Sequence, residues 1–347
     1  MQRPTVLLLF GGESSEHDVS ISSARNVYAA IDDTKYDVIL GYIDRTGKWW
    51  LLEGLDGTIS THGQSQIIPV LGSQSFVTLP AGKVMKPTVI LPILHGKNGE
   101  DGTVQGLAQL LHIPIAGSGM TASALCMDKV AAKKIASAND IRIVPYEVYK
   151  KNEQLPDFGR LSMQLGSPLF VKPVNAGSSF GVSKVYSEDE LARAVETALQ
   201  YDDVVLIEAG IIGRELEVAV LGNPPHHKAT VAAEVNPHGE FYDYKTKYDS
   251  DSELEVTIPA AISDTTARAL HDMALKAYEA LGCKGLARVD FFLEGETLYL
   301  NEINTFPGFT NTSIYPKLWR HEGISYSQLI DRLLALALES TVTVRED

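Results

Sequence analysis

Residues 285–304 read GLARVDFFLEGETLYLNEIN, two runs of strand-forming residues joined across Glu294-Gly295-Glu296. Val, Phe, Leu and Tyr fill both runs, and a glycine at the join suits a hairpin turn. Side chains alternate faces along a strand, so Arg288 and Asp290 share one face of theirs, and Glu302 and Asn304 one face of the other. A three-residue loop symmetric about Gly295 puts residue 288 opposite 302 and 290 opposite 300, with all four polar groups on one face. Cross-strand and diagonal neighbours lie about 5–8 Å apart. Two carboxylates and an amide oxygen at that spacing form a hard-oxygen site suited to Mg²⁺, with Arg288 beside it to neutralise an oxyanion. The alternative is a solvated strand face with an exposed salt bridge.

The hairpin ends a strand-rich region, with strands expected at 204–208, 215–221, 230–235 and 254–258, and a helix over 264–281 closed by Gly282. Before it, residues 121–139 read as an Ala- and Lys-rich helix, 142–149 as a strand, and 168–173 as a strand entering the loop 175–181, NAGSSFG. Ser187 with Glu190 forms a capping box for a helix through residue 200. The first third alternates strand and helix: an apolar run at 5–10, a helical pattern at Ile21, Ala24, Val27 and Ile31, then strands at 37–43 and 88–94. That order predicts an α/β layer with a parallel sheet, which binds ligands in loops after the strands' carboxyl ends. Residues 53–86 read as connection and edge structure, and 327–338 as a last amphipathic helix.

Three loops are suited to ligands. Lys172 precedes the glycine loop, whose backbone N–H groups suit phosphate oxygens, with Lys129 and Lys247 as further cations. It matches neither the Walker nor the dinucleotide fingerprint, and a flexible turn between solvated lysines is the other reading. The loop HGKNGEDG at 95–102 with Gln105, and GGESSEH at 11–17, are either binding loops or capped helix starts.

The chain has 347 residues, 30 Lys and Arg against 44 Asp and Glu, a formal net charge of −14, and 44% apolar residues. The acidic balance argues against nucleic acid as the main partner, since counterion release needs a cationic footprint. Length and apolar content allow two or three packed domains, and no apolar run approaches the roughly 20 residues that span a bilayer. The N-terminal run lacks a cleavage site, and Cys126 and Cys283 lack CxxC spacing, so neither a signal peptide, a disulfide nor zinc is expected. A reducing, cytoplasmic setting follows.

Taken together, residues 11–22 (GGESSEHDVSIS), 95–106 (HGKNGEDGTVQG), 117–129 (GSGMTASALCMDK), 172–181 (KPVNAGSSFG), 241–249 (FYDYKTKYD) and 287–313 closely resemble the D-alanine:D-alanine ligases of the ATP-grasp superfamily. The resemblance implies an α/β ATP-grasp fold of three α/β domains, with ATP between the middle and C-terminal ones. The expected division is 1–118, 119–210 and 211–347, with a lid loop at 236–255. It implies ATP-dependent joining of two D-alanine molecules through an acylphosphate, two Mg²⁺ or Mn²⁺ ions per site, and a homodimer.

Residue by residue, the resemblance gives Lys129 and Lys172 to the ATP phosphates, and Glu208, Ile211 and Glu215 to adenine and ribose. Lys247 joins the γ-phosphate when the lid closes. Asp290, Glu302 and Asn304 match the metal ligands, the same site reached from strand parity. Glu16 takes the first substrate's ammonium and forms a triad with Ser178 and Tyr248. Arg288 and the Gly308 N–H face the oxyanion, and Ser313 and Ile314 receive the second carboxylate, with His95 nearby. Relatives that make D-alanyl-D-lactate lack the Lys-Tyr lid pattern or change its tyrosine, whereas Lys247-Tyr248 is present, which favours D-alanine as second substrate. Pro114-Ile115 departs from the family's usual aromatic, with no catalytic consequence expected.

Overall fold

The first apolar run forms β1 (Thr5–Gly11), in which Val6, Leu8 and Phe10 enter one buried cluster and Leu7 and Leu9 another. With both faces covered, the strand shows no polar alternation. It pairs in parallel with β2 (Asp37–Ile43) and β7 (Val89–Ile93), and α1 (His17–Ala30) packs on it. The structure, a computed structural model, describes residues 3–177, 180–236 and 255–339.

The expected parallel sheet is limited to those three strands. β3 (Trp49–Leu52), β4 (Ser65–Val70), β5 (Ser75–Leu79) and β6 (Val84–Met85) add an antiparallel meander, giving the order β6-β5-β4-β3-β2-β1-β7. Residues 53–86 thus supply the edge structure expected of them, as three strands at one side of the sheet. Their signal is weak because β4 buries only Ile67 and its other residues are partly or fully exposed.

After α2 (Thr103–Leu111), the helix expected over 121–139 is divided into α3 (Met120–Met127) and α4 (Lys129–Ala138). Asp128 makes the break: its Oδ1 accepts from Val130 N at 3.0 Å and Ala131 N at 2.9 Å, capping α4. Next come β8 (Tyr146–Lys150), α5 (Phe158–Leu165), β9 (Leu169–Pro173), β10 (Ser183–Val185), α6 (Glu188–Ala198) and β11 (Val204–Ala209). The four strands form an antiparallel sheet in the order β10-β9-β11-β8. Ser187 caps α6 as expected, although Glu190 reaches back to Tyr186 N rather than to Ser187 N.

A second antiparallel sheet, order β14-β13-β12-β15-β16, holds β12 (Arg214–Leu221), β13 (Lys228–Asn236), β14 (Glu255–Thr257), β15 (Leu286–Glu294) and β16 (Thr297–Asn304), backed by α7 (Asp264–Ala280). The hairpin register differs from the symmetric-loop expectation. Glu294 pairs with Thr297, so Gly295 and Glu296 alone make the turn, with Gly295 at φ +60°. The register then shifts at Asn301, and this bulge pairs Asp290 with Glu302 and Arg288 with Asn304. All four still share a face.

Helix α8 (Ile314–His321) was not anticipated; Pro316 lies in its first turn, where a missing N–H donor costs nothing. Helix α9 (Tyr326–Glu339) places Leu329, Ile330, Leu333 and Leu334 in the cluster that holds Val6, Leu8 and Phe10, so the last helix covers the first sheet. Cys126 and Cys283 are free and buried, and their sulfurs lie 3.7 Å apart despite the sequence separation. Among the described residues no helix is long and apolar enough to cross a membrane.

Candidate active site

The polar face of the β15–β16 hairpin is built as an ion cluster. Arg288 donates from Nε to Asp290 Oδ1 and from Nη2 to Asp290 Oδ2, both at 2.7 Å, while Asn304 Nδ2 donates to Asp290 Oδ2 at 2.9 Å. Glu217, opposite Asp290 on β12, brings its Oε2 to 3.0 Å from Arg288 Nε. Burial disfavours the charged guanidinium, but Asp290 and Glu217 outweigh it and hold Arg288 well above its ordinary value. A solvated strand face is thereby excluded, since Asp290 and Glu217 are both buried. Glu217 was missed in the sequence because its partner strand could not be assigned.

Among the described residues no three His, Cys, Asp or Glu side chains gather as a metal cage. What the hairpin offers is Asp290, Glu302 and the Asn304 amide, a set that fits Mg²⁺, which takes one or two carboxylates and completes its shell from water and substrate phosphates.

The cations come from two directions. Lys172 on β9 and Glu208 on β11 are diagonal neighbours on one face, and Lys172 Nζ lies 2.6 Å from Glu208 Oε2. Lys133 Nζ, not foreseen from the sequence, holds Glu208 Oε1 at 2.6 Å. Its signal was present as helical spacing, since Lys129 and Lys133 lie one turn apart on α4. Burial alone raises the Glu208 carboxyl, but the two lysines overcome this and lower it; burial lowers Lys133, against the pull of Glu208. Lys129 Nζ donates to the Ala176 carbonyl of the glycine loop at 2.7 Å and lies 4.0 Å from Glu302 Oε2, tying that loop to the hairpin. Ile211 and Glu215 are partly buried, on the β11–β12 connection and at the start of β12.

The N-terminal loops lie beside these groups. Glu16, at the start of α1, is buried, and a Cβ on Gly96 would come within 2.8 Å of its Oε2, so glycine is required there at φ +72°. A Cβ on Gly177 would lie 3.8 Å from the same oxygen, which places the glycine loop beside Glu16. Ser14 Oγ donates to the His95 carbonyl at 2.7 Å, and His95 Nε2 lies 3.3 Å from Ser23 Oγ. Burial lowers the His95 imidazole, with Glu16 acting the other way. Glu100 accepts from Gly96 N at 2.8 Å; burial and then Glu16 push its carboxyl well up, and Arg288 and Glu302 act on it too. The 95–102 loop therefore borders the ion cluster.

Ser313 immediately precedes α8 with its side chain turned back to the preceding loop: its Oγ lies 2.8 Å from Thr310 Oγ1 and accepts from Thr310 N at 3.1 Å. A Cβ on Gly308 would lie 3.3 Å from Ser313 Oγ, so these two expected substrate contacts are adjacent, and Ile314 is the first residue of α8. Ser178, Lys247 and Tyr248 lie outside the described residues.

Comparison with known proteins points one way. A family model described as D-ala D-ala ligase N-terminus matches residues 5–118, and one described as D-ala D-ala ligase C-terminus matches 135–335. The chain is 45% identical to the D-alanine–D-alanine ligase of Geobacillus thermodenitrificans, covering 96% of this chain and 94% of that one. It is 41% identical to D-alanine–D-alanine ligase A of Escherichia coli K12, covering 98% and 97%. Among solved structures, the D-alanine-D-alanine ligase from Coxiella burnetii superposes with a TM-score of 0.89 at 32% identity over 99% of this chain and 96% of that chain. The VanG D-Ala:D-Ser ligase from Enterococcus faecalis superposes at 0.86 and 35%, over 97% and 100%.

Proposed function

This chain belongs to the D-alanine–D-alanine ligase family, and on that premise we propose how its residues share the ATP-dependent joining of two D-alanine molecules. The fold is ATP-grasp and the enzyme is an ADP-forming ligase, whose dipeptide product serves peptidoglycan precursor synthesis. One observation supports the division of labour: close contacts run from Glu16 to the glycine loop, from that loop to Lys129 and from Lys129 to Glu302, on the hairpin face that holds the Arg288–Asp290 pair.

A carboxylate is a poor electrophile, so the first D-alanine is phosphorylated on its carboxylate as the bond to ADP breaks. The amine of the second, having lost a proton, attacks the carbonyl carbon, and phosphate departs with the C–O bond. Such chemistry needs positioning and charge stabilisation rather than a protein nucleophile. Lys129 and Lys172 hold the phosphates, with Lys247 joining from the lid; Glu208, Ile211 and Glu215 take adenine and ribose. Glu16, with Ser178 and Tyr248, receives the first ammonium. Arg288 and the Gly308 N–H face the developing oxyanion, and Ser313, Ile314 and His95 hold the second substrate. Closure over this site keeps water from the acylphosphate.

Asp290, Glu302 and Asn304 hold the divalent metal, two Mg²⁺ or Mn²⁺ ions in this reading, which when bound neutralises phosphate charge. Glu302→Gln is expected to lose Mn²⁺ binding in a spectroscopic titration and to lose turnover while keeping its circular dichroism spectrum. Full activity in that variant contradicts the assignment.

The same reading divides the chain into 1–118, 119–210 and 211–347, with a lid over 236–255, and places the enzyme in the cytoplasm. It also makes the enzyme a homodimer through the N-terminal unit. There Leu71 and Leu110, 60% and 59% exposed, stand on segments joined by the Gly72 N to Leu110 O hydrogen bond, an apolar patch with Val70. Light scattering on Leu71→Asp/Leu110→Asp should report a monomer; an unchanged dimer assigns the contact elsewhere.

A further inference from the structure

The side chain of Lys133 is only 2% exposed, and nothing in the ligation chemistry derived above uses it. Its ammonium lies 2.6 Å from Glu208 Oε1 and 5.7 Å from the centre of the Tyr146 ring. The same carboxylate holds Lys172 through its other oxygen, also at 2.6 Å. Taking two ammoniums and a carboxylate out of water costs several kcal/mol per ion before they attract one another, so three buried charges are a costly way to fill space.

Charge arithmetic shows what the third ion does. A buried carboxylate facing one lysine makes a closed, neutral pair, and that lysine has no surplus charge for an incoming anion. With a second lysine on its far oxygen the set carries one net positive charge. Lys172 is then held by its ion pair with Glu208 at the mouth of the glycine loop. Lys129 and Lys133 project from the same face of α4, Lys129 toward the loop carbonyl of Ala176 and Lys133 to the back of Glu208. One helix thus supplies both a direct cation and the counter-charge for another.

We infer that Lys133 is a positioning residue for ATP: it neutralises Glu208 from behind, so that Lys172 keeps the positive charge it presents to phosphate. The inference rests on the reading that Lys172 contacts ATP phosphates. Lys133 itself touches neither nucleotide nor substrate.

The test is steady-state ADP release by the full-length enzyme with ATP and D-alanine varied in turn, in Lys133→Gln, Lys133→Met, Lys133→Arg and Lys172→Met. Lys133→Gln and Lys133→Met should raise the KM for ATP about tenfold, the effect of one lost charge-assisted contact, with kcat and the KM for D-alanine nearly unchanged. Lys133→Arg, which keeps the charge, should return the ATP KM most of the way. An ATP KM at the wild-type value in both uncharged variants overturns the inference, as does a parallel loss in kcat and both KM values. Insoluble protein from both variants would assign Lys133 to stability alone and overturn it too. Lys172→Met separates the two levels. If it leaves the ATP KM unchanged, the phosphate role of Lys172 fails and the inference with it; if it raises the KM while the Lys133 variants do not, only the inference fails.

Discussion

Arg288 grips both oxygens of Asp290, each from a different guanidinium nitrogen at 2.7 Å, so the cation proposed for the oxyanion and a carboxylate proposed for the metal are one bidentate unit. Bidentate pairing fixes the plane of the guanidinium as well as its position. Arg288→Lys keeps the charge and loses the fork. It is expected to lower kcat about a hundredfold while leaving the KM for ATP close to wild type, as read in an ADP-release assay. A kcat within a few fold of wild type would remove Arg288 from the reaction.

The protonation of Glu100 gives a pH signature. Burial, reinforced by Glu16, holds its carboxyl well above the ordinary 4.5, so the folded chain binds this proton more tightly than the unfolded chain. That contribution is complete below pH 4.5 and is lost as pH rises through the folded value. Glu100→Gln keeps an acceptor for Gly96 N and removes the ionisation. In ligand-free enzyme the variant should melt about 2–4 °C above wild type at pH 8, with the two melting curves converging toward pH 4.5. A gap that does not change with pH rules out this origin.

Asp128 closes two backbone donors at the start of α4, the turn that carries Lys129. Asp128→Ala should cost about 1 kcal/mol in a urea titration. Because Lys129 is the first residue of that helix, the KM for ATP should rise as well. Stability equal to wild type would mean that water caps the helix equally well.

Gly96 stands at φ +72° with Glu16 Oε2 2.8 Å from where a Cβ would be. Gly96→Ala must both strain the backbone and push Glu16 aside, costing at least about 1 kcal/mol. The KM for D-alanine should rise more than that for ATP if Glu16 serves the amino-acid side as proposed. Equal changes in both KM values would mean that the loop, not Glu16, had moved.

Much of this was legible in residue order. Strand parity alone put Arg288, Asp290, Glu302 and Asn304 on one face, and the structure keeps them there although the turn is shorter and Asn301 bulges. Each departure moves the register by one residue in the same direction, so together they restore the face parity, which periodicity cannot reveal because a bulge leaves no hydrophobic signature. Lys133 and Glu217 were missed for a related reason: each acquires meaning only through a partner on another element, Glu208 in one case and Arg288 in the other. The 53–86 segment was read as edge structure without individual strands, since β4 buries only Ile67 and does not alternate clearly. The formal charge of −14 gave no sign that Lys129, Lys133, Lys172 and Arg288 would be drawn into ion pairs with Glu302, Glu208, Glu217 and Asp290.

The most direct measurement is amino-acid-dependent ADP release, with mass analysis of the product, run in parallel on D-alanine, L-alanine, D-serine and D-lactate. D-serine is included because a D-Ala:D-Ser ligase is among the similar structures. ADP release driven by D-alanine alone, yielding D-alanyl-D-alanine, is the predicted result. No ADP release with D-alanine, alongside clear release with a different acid, would contradict it.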